Sequence, residues 1–162
     1  MNKQRLLHRP RPVLYDSGVV SRVLDDIFGP TLTDFADIHV AIQAKREVYI
    51  TQTTLFELQP VLRVLKKRYP RSASEIDKVL TDFNLIALDR AIGEHAVAMK
   101  RGVEQIVFAD ATIAATALVY ELDLFTMNEG DFAVIPGLRL YKPKNYDELL
   151  ARLGASKSRG KQ

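Results

Sequence analysis

Ala109-Asp110-Ala111-Thr112-Ile113-Ala114-Ala115-Thr116-Ala117 is an alanine-rich segment, and Leu124-Phe125-Thr126-Met127-Asn128-Glu129-Gly130-Asp131-Phe132 follows it a few residues later. The first predicts a helix, from about 108 to 120, whose small side chains allow close packing on a sheet. Such packing would hold its one carboxylate rigidly in place. The second opens with the end of a short apolar run, 122–126, typical of a buried parallel strand. Together they predict an α/β unit with polar groups at a strand end.

Helices and strands alternate along the rest of the chain. Short apolar runs predict five strands, at 12–15, 48–50, 85–88, 122–126 and 137–141. Apolar residues at helical spacing predict helices between them, at about 17–27, 33–45, 53–69, 72–84, 89–102 and 108–120. Pro60 is expected to kink the third helix or to mark a new start. The pattern predicts a three-layer α/β/α fold with a central, mainly parallel sheet of about five strands.

The composition predicts one folded domain with basic ends. The chain has 162 residues, 47% hydrophobic and 27% charged, which suits a single domain with a real core. We divide it into a basic extension at 1–11, a main domain at 12–143, a C-terminal helix at 144–154 capped by Asn145, and a basic disordered tail at 155–162.

The charge is unevenly distributed. Seven of the 23 basic residues lie in residues 1–11 and 157–162, which leaves 16 against 20 acids in the body. The ends can hold a polyanion without specificity, or they can simply be solvated termini.

Several protein classes are excluded by composition. No apolar run is long enough to span a bilayer, and the N-terminus lacks the apolar segment of a secretory signal. The chain has no cysteine, which excludes disulfides and thiolate metal sites. We expect a cytoplasmic protein with no membrane association.

Four acidic residues stand where a strand ends or a helix begins: Asp16, Glu57, Asp110 and Asp131. In an open α/β sheet such positions meet along one edge. Two carboxylates about 4 Å apart repel by roughly 1 kcal/mol in water and about 4 kcal/mol at an effective dielectric of 20. Because hard divalent cations prefer oxygen ligands, the four acids predict a Mg²⁺ or Mn²⁺ site for phosphodiester chemistry.

Each acid also has an ordinary structural explanation. Asp16 can cap the helix that follows it, with Ser17 as a second capping residue. Asp110 lies in the first turn of a helix, where the helix dipole stabilises any negatively charged side chain. Thr54 and Glu57 form the pattern of a capping box.

Asp131 lies in a glycine-containing segment, where Asp commonly forms turns. Glu129 competes with it for the role of fourth acid. Thr126 and Asn128 are expected to fix this segment and to orient carboxylates rather than to touch substrate.

The acidic segments, in this order, resemble the PIN domain family, and especially the VapC-type toxin ribonucleases. The resemblance rests on Asp16-Ser17, Thr53-Thr54-Leu55-Phe56-Glu57-Leu58, Asp110-Ala111-Thr112-Ile113-Ala114-Ala115-Thr116-Ala117, Thr126-Met127-Asn128-Glu129-Gly130-Asp131-Phe132 and Ile135-Pro136-Gly137-Leu138. It implies the α/β/α fold, Mg²⁺- or Mn²⁺-dependent cleavage of RNA, homodimerisation and an antitoxin partner. It also implies that the four acids are both catalytic residues and metal ligands, with Ser17, Thr126 and Asn128 in support. Gly18 departs from the family pattern, in which Asn or Ser is more usual.

The sequence therefore predicts a metal-dependent endoribonuclease. The alternative is a PIN-like nucleic-acid-binding or scaffolding module with little turnover. A phosphatase on another doubly wound fold is less favoured, because those enzymes pair their acids as Asp-x-Asp after the first strand. The basic run from Arg63 to Arg71 could contact RNA phosphates, but a solvated helix face is the favoured interpretation. His8, His39 and His95 are not assigned to catalysis.

Overall fold

A computed structural model describes residues 10–30, 33–144, 146–148 and 151. The strands are β1 (Val13–Tyr15), β2 (Val48–Thr51), β3 (Asn84–Ile86) and β4 (Asp123–Phe125). The helices are α1 (Ser17–Phe28), α2 (Phe35–Gln43), α3 (Gln52–Arg68), α4 (Ala73–Thr81), α5 (Arg90–Gly102), α6 (Phe108–Val119) and the short α7 (Glu129–Phe132), with a 3₁₀ turn at Pro70–Ser72 before α4.

The four strands form one parallel sheet in the order β3-β2-β1-β4. β1 is central, with Leu14 opposite Tyr49 on one side and Leu124 on the other. Because all strands run the same way, their carboxyl ends share one edge of the sheet. The predicted α/β fold with a parallel sheet is confirmed.

Both faces of the sheet are covered, which is why its strands are continuously apolar. Alternate residues of β1 point to opposite faces: Val13 and Tyr15 join one core cluster, and Leu14 joins the other. The first cluster packs α1, α2, α3 and α4 against the sheet, and the second packs α5 and α6. The result is the three-layer arrangement expected from the alternating pattern.

The predicted fifth strand at 137–141 is wrong. This segment makes a single bridge, Leu140 to Leu124, and so the sheet has four strands within the described residues. Two backbone bonds hold it there, from Leu124 N–H to Arg139 O at 2.8 Å and from Tyr141 N–H to Leu124 O at 2.7 Å. Pro143 then lacks the N–H that a longer ladder would need.

Helix α3 is one continuous helix of 17 residues that includes Pro60, so a new start at Pro60 is wrong. It also begins earlier than expected. Thr51 is its N-cap, and the Thr51 hydroxyl oxygen accepts the N–H of Thr54 at 3.0 Å. Glu57 therefore lies beyond the first turn, and the capping box with Thr54 does not form.

The remaining helices follow the sequence pattern closely. Asp89 caps α5 by accepting the N–H of Ile92 at 2.9 Å. Helix α2 ends at Gln43 and α4 at Thr81, each short of the predicted end.

Part of the predicted domain organisation falls on residues that the structure does not describe. Residues 1–9 of the basic extension, the cap Asn145 and the tail at 155–162 lie outside the described residues. Of the predicted C-terminal helix, residues 146–148 are helical. No helix in the described part of the chain is long and apolar enough to span a membrane.

Candidate active site

The carboxyl edge of the sheet carries the acidic side chains that the sequence singled out. Asp16 directly follows β1, Thr126 directly follows β4, and Glu57 lies near the start of the helix that follows β2. Asp110 lies in the first turn of α6 and Asp131 in α7. Residues far apart in the sequence are thus gathered by strand direction.

Asp16 is a buried carboxylate with two functions. It caps α1, because its Oδ1 accepts the N–H of Ser17 at 2.7 Å. Its Oδ2 accepts the hydroxyl of Thr126 at 2.8 Å. Burial raises the pKa of Asp16, while the hydrogen bonds from Thr126 and Ser17 lower it in part. The predicted capping explanation is therefore correct, but it leaves the carboxylate fixed at the sheet edge.

Asp110 is the acid on which the charges of the other three act. Partial burial raises its pKa to about 6, and the charges of Asp16, Glu57 and Asp131 contribute to the rise in that order of strength. Every charged group that shifts this pKa is an acid. Asp110 makes no capping hydrogen bond, since Val107 is the N-cap of α6. Its first-turn position still gains from the helix dipole, but the other charged groups that act on its pKa are all acids.

Glu57 is exposed on α3, and its helix is tied to the helix of Asp110. The hydroxyls of Thr53 and Thr112 lie 3.0 Å apart. The hydroxyl of Thr112 donates its hydrogen bond to the carbonyl of Ala109 at 2.8 Å. The hydroxyl of Thr53 is therefore the donor to the Thr112 oxygen. This contact fixes the start of α3 against the start of α6.

Asp131 rather than Glu129 acts on the pKa of Asp110. Asp131 is exposed, and its Oδ2 accepts the side-chain amide of Asn128 at 2.6 Å. Glu129 instead forms an ion pair with Lys142 at 3.0 Å and does not act on the pKa of Asp110. Asp131 also lies in a short helix rather than in the loop that its glycine neighbour predicted.

The donor chemistry fits a hard divalent cation. All four side chains are carboxylates, the charges of three of them raise the pKa of the fourth, Asp110, and cations such as Mg²⁺ prefer oxygen ligands. Among the described residues, however, no three acidic or histidine side chains already stand close enough together to hold an ion. Two of the four, Glu57 and Asp131, are exposed.

A cleft beside two of the acids offers space for a ligand. It has a volume of about 290 Å³ and includes Asp110 and Asp131. Its remaining lining is mostly apolar and comes from the loop before α6 and the region of α7: Val103, Gln105, Ile106, Val107, Gly130 and Val134. A larger cleft of about 570 Å³ lies at the opposite edge of the sheet, near Arg11, Lys45 and Arg46. It is remote from the carboxylates, and we assign the chemistry to the smaller one.

Gly18 leaves room for the side chain that the family usually carries there. A Cβ at Gly18 would meet no atom within 4 Å, so the departure reflects no steric requirement.

Of the histidines, His39 is buried against Tyr15 and Phe83, in the core. His95 is exposed on α5, and His8 lies outside the described residues.

Sequence reasoning missed two features around the site. The bridge between Thr53 and Thr112 could not be found, because a threonine inside a helix gives no signal of what it faces. The opposite edge holds buried Asp123, whose carboxylate lies 3.2 Å from Arg46, 3.2 Å from Arg139 and 3.8 Å from Arg11. Its Oδ1 has no well-aligned hydrogen bond among the described residues despite these ion pairs.

The comparisons with known proteins agree with this architecture. The PIN domain family profile matches residues 13–138. No curated protein matches the chain significantly.

Solved structures with this fold include components of toxin–antitoxin complexes. One, a toxin–antitoxin complex from Klebsiella pneumoniae, is 29% identical with a TM-score of 0.57, and the match covers 81% of this chain and 99% of that one. VapBC2 from Rickettsia felis, bound to a DNA fragment from its promoter, is 20% identical with a TM-score of 0.65, over 80% and 96% of the two chains. FitAcB from Neisseria gonorrhoeae is 23% identical with a TM-score of 0.63, over 81% and 97%. The family match spans most of the chain and includes all four acids, and PIN domains are generally nucleases: this protein belongs to the PIN domain family.

Proposed function

We propose that this protein is an endoribonuclease that depends on Mg²⁺ or Mn²⁺. The observation that carries the proposal is that the segments bearing Asp16, Glu57, Asp110 and Asp131 lie at the carboxyl edge of the sheet, where burial and the charges of the other three acids raise the pKa of Asp110 to about 6. A fold gains nothing from such repulsion, which costs stability at neutral pH. A divalent cation would offset it, and the family is one of nucleases.

The residues divide into two kinds. Asp16 and Asp110 are the more enclosed acids and would hold the ion, while the exposed Glu57 and Asp131 would complete its coordination. When bound, the cation would supply an activated water for attack on phosphorus and would stabilise the developing charge. The hydroxyl of Thr126 keeps the Asp16 carboxylate oriented, and the side-chain amide of Asn128 orients the Asp131 carboxylate.

Ser17 completes the supporting set through the Asp16 carboxylate. Its backbone N–H and its side chain both lower the pKa of Asp16, so it helps to keep that carboxylate charged.

The test is cleavage of mixed single-stranded RNA with Mn²⁺, with Mg²⁺ and with a chelator. We expect cleavage only with metal, and we expect Asp110→Asn to abolish it. Asp37→Asn is the matched control, since it removes the same charge from an exposed position on α2. Binding of RNA without cleavage under any metal would refute the proposal in favour of a nucleic-acid-binding module.

We further propose that the protein is the toxin of a toxin–antitoxin pair, acts as a homodimer and works in the cytoplasm. Support comes from the fold shared with components of toxin–antitoxin complexes. Expression alone should arrest growth of the host, and co-expression of a small neighbouring reading frame should relieve the arrest and yield a co-purifying complex. Growth unaffected by the active protein would contradict the toxin role.

A further inference from the structure

One exposed stripe on α3 combines an aromatic ring, a proline and two cations. Phe56, Pro60, Arg63 and Lys67 are spaced by four, three and four residues, which places them within about 60° of one another around a helix. All four are exposed, and the Phe56 side chain is 80% accessible. An aromatic residue this exposed contributes nothing to the core and leaves a ring face open to solvent.

The structure separates these two cations from their helical neighbours Lys66 and Arg68. Lys66 Nζ lies 2.5 Å from Oδ1 of Asp77, and the guanidinium of Arg68 lies over the ring of Tyr69, 5.6 Å from its centroid. Arg63 and Lys67 make no ion pair within the described part of the chain, and neither does exposed Arg71, which lies beyond the end of α3. Arg63 and Lys67 are therefore the two basic residues of α3 that are free to meet an external anion.

The stripe begins beside the acidic edge. Phe56 immediately precedes Glu57, about a quarter-turn away around the helix. Glu57 in turn acts on the pKa of Asp110. From Phe56 to Lys67 the helix rises about 16 Å. A ligand strand leaving the carboxylates along this face would meet a ring first and the cations after it.

We propose that the stripe Phe56–Pro60–Arg63–Lys67 is a track for single-stranded RNA leading to the carboxylates. Single-strand sites combine cations that follow the phosphates with aromatic rings on which bases stack, and this face supplies both. The inference rests on the proposed ribonuclease function for its substrate class. For Arg63 and Lys67, the proposal replaces the interpretation of the basic run as a solvated face. For Lys66 and Arg68, that interpretation stands.

The track is tested by RNA binding in a chelator, where cleavage cannot occur. The probe is a fluorescein-labelled oligouridine of about a dozen nucleotides, within the size of a single-strand site, followed by anisotropy over a salt series. The double variant Arg63→Gln/Lys67→Gln should reduce the slope of log affinity against log salt by about 1.4, from two lost phosphate contacts. The matched control Lys45→Gln/Lys78→Gln removes two exposed cations elsewhere and should leave the slope unchanged.

The aromatic residue is tested separately. Phe56→Ala should weaken binding by at least about fivefold, the lower end of the cost of losing one base stack, without changing the salt slope. Phe56→Tyr should retain wild-type affinity. Because the side chain is exposed, the variants should fold, and thermal melting checks this.

The outcomes separate the track from the proposed function. An unchanged slope in the double variant, an equal loss in the control pair or full affinity in Phe56→Ala would overturn the track, even if the wild type cleaves RNA. Conversely, the expected binding changes in a protein that never cleaves RNA with metal would establish the track and refute the ribonuclease.

Discussion

The hydroxyl of Thr126 donates a 2.8 Å hydrogen bond to Oδ2 of Asp16, joining residues 110 positions apart in the sequence. Both side chains are buried. The same hydroxyl oxygen accepts the backbone N–H of Asn128 at 3.0 Å. One side chain thereby orients the carboxylate after β1 and fixes the start of the segment that carries Asp131.

Replacing Thr126 with Val should raise the pKa of Asp16 further, because the hydrogen bond that lowers it is lost. An unsatisfied buried acceptor costs about 1–3 kcal/mol in the free energy of unfolding. Carbon-13 NMR of the Asp16 carboxyl measures the titration, and urea denaturation measures the stability. Thr126→Ser keeps the donor and should behave as wild type. An Asp16 titration that is identical in the Val variant would contradict this role.

Asp110→Asn should stabilise the metal-free protein at neutral pH. The folded pKa of Asp110, about 6, lies above its ordinary value of 3.8, so ionisation costs stability. The cost is absent below pH 3.8 and complete above about pH 6. After solvent screening it is on the order of 1 kcal/mol, which raises Tm by about 2–4 °C. Thermal melting in chelator tests this, and the gain should disappear in acid.

Asp123→Asn should lower the stability of the folded protein, whereas the same substitution at Asp110 should raise it. Asp123 is buried at the amino edge of the sheet, with Arg11, Arg46 and Arg139 around it. Removing its charge leaves these partly exposed arginines to repel one another, at a cost of about 1–3 kcal/mol. Urea denaturation at neutral pH should show a lower midpoint. Equal effects of the two substitutions would mean that the two edges do not differ in charge balance.

Mn²⁺ or Mg²⁺ should raise the Tm of the wild type, because an ion bound only by the folded state stabilises it. The increase should shrink strongly in Asp16→Ala and in Asp110→Asn. It should persist in Asp37→Asn, which alters an exposed carboxylate on α2. Differential scanning fluorimetry with and without chelator measures the shift. Identical melting at millimolar ion would show that the acids lack useful affinity for a cation.

His39 should make the protein less stable in mild acid. Burial lowers its pKa from 6.5 to about 4, against a small opposing effect of Asp82. Between these values the unfolded chain binds a proton that the folded protein does not, so stability falls as pH falls from 6.5 to about 4. The loss is on the order of 3 kcal/mol.

The pH dependence is isolated by comparing variants. His39→Gln removes the titration and keeps a polar group near the hydroxyl of Tyr15, which lies 3.1 Å from the His39 ring nitrogen. Urea denaturation of this variant should show a shallower fall in acid than the wild type, whereas exposed His95→Gln should match the wild type. Parallel curves for all three proteins would refute the assignment.

The sequence alone determined the fold class and the identity of the acids. Short apolar runs alternating with helical patterns require a parallel sheet covered on both faces, and strand direction then brings the ends of β1, β2 and β4 to one edge. For this reason the positions of Asp16, Glu57 and Asp131 along the chain are enough to predict that they group, and Asp110 was added as an acid at the start of a helix. Thr126 and Asn128 were expected to support them, and the PIN resemblance implied the same set.

Only the tertiary structure decided the contacts that depend on side-chain direction and on exact chain ends. The segment at 137–141 has the apolar pattern of a strand, but it makes a single bridge, from Leu140 to Leu124, and no ladder. Thr54 and Glu57 have the spacing of a capping box, but the N-cap is Thr51, about one turn before Thr54, and the helix starts at Gln52. The local sequence pattern cannot reveal whether Thr51 or Thr54 is the N-cap, because packing decides where a helix begins.

The same limit applies to charge. The basic residues of α3 look alike in the sequence, yet Lys66 finds Asp77 across the fold while Arg63 and Lys67 find no partner within the described residues. Likewise Asp123 and Asp110 are both acids beside a helix or strand end, but three arginines surround the first and three carboxylates act on the second. The sequence determines which charges exist, and only long-range packing determines which of them are neutralised.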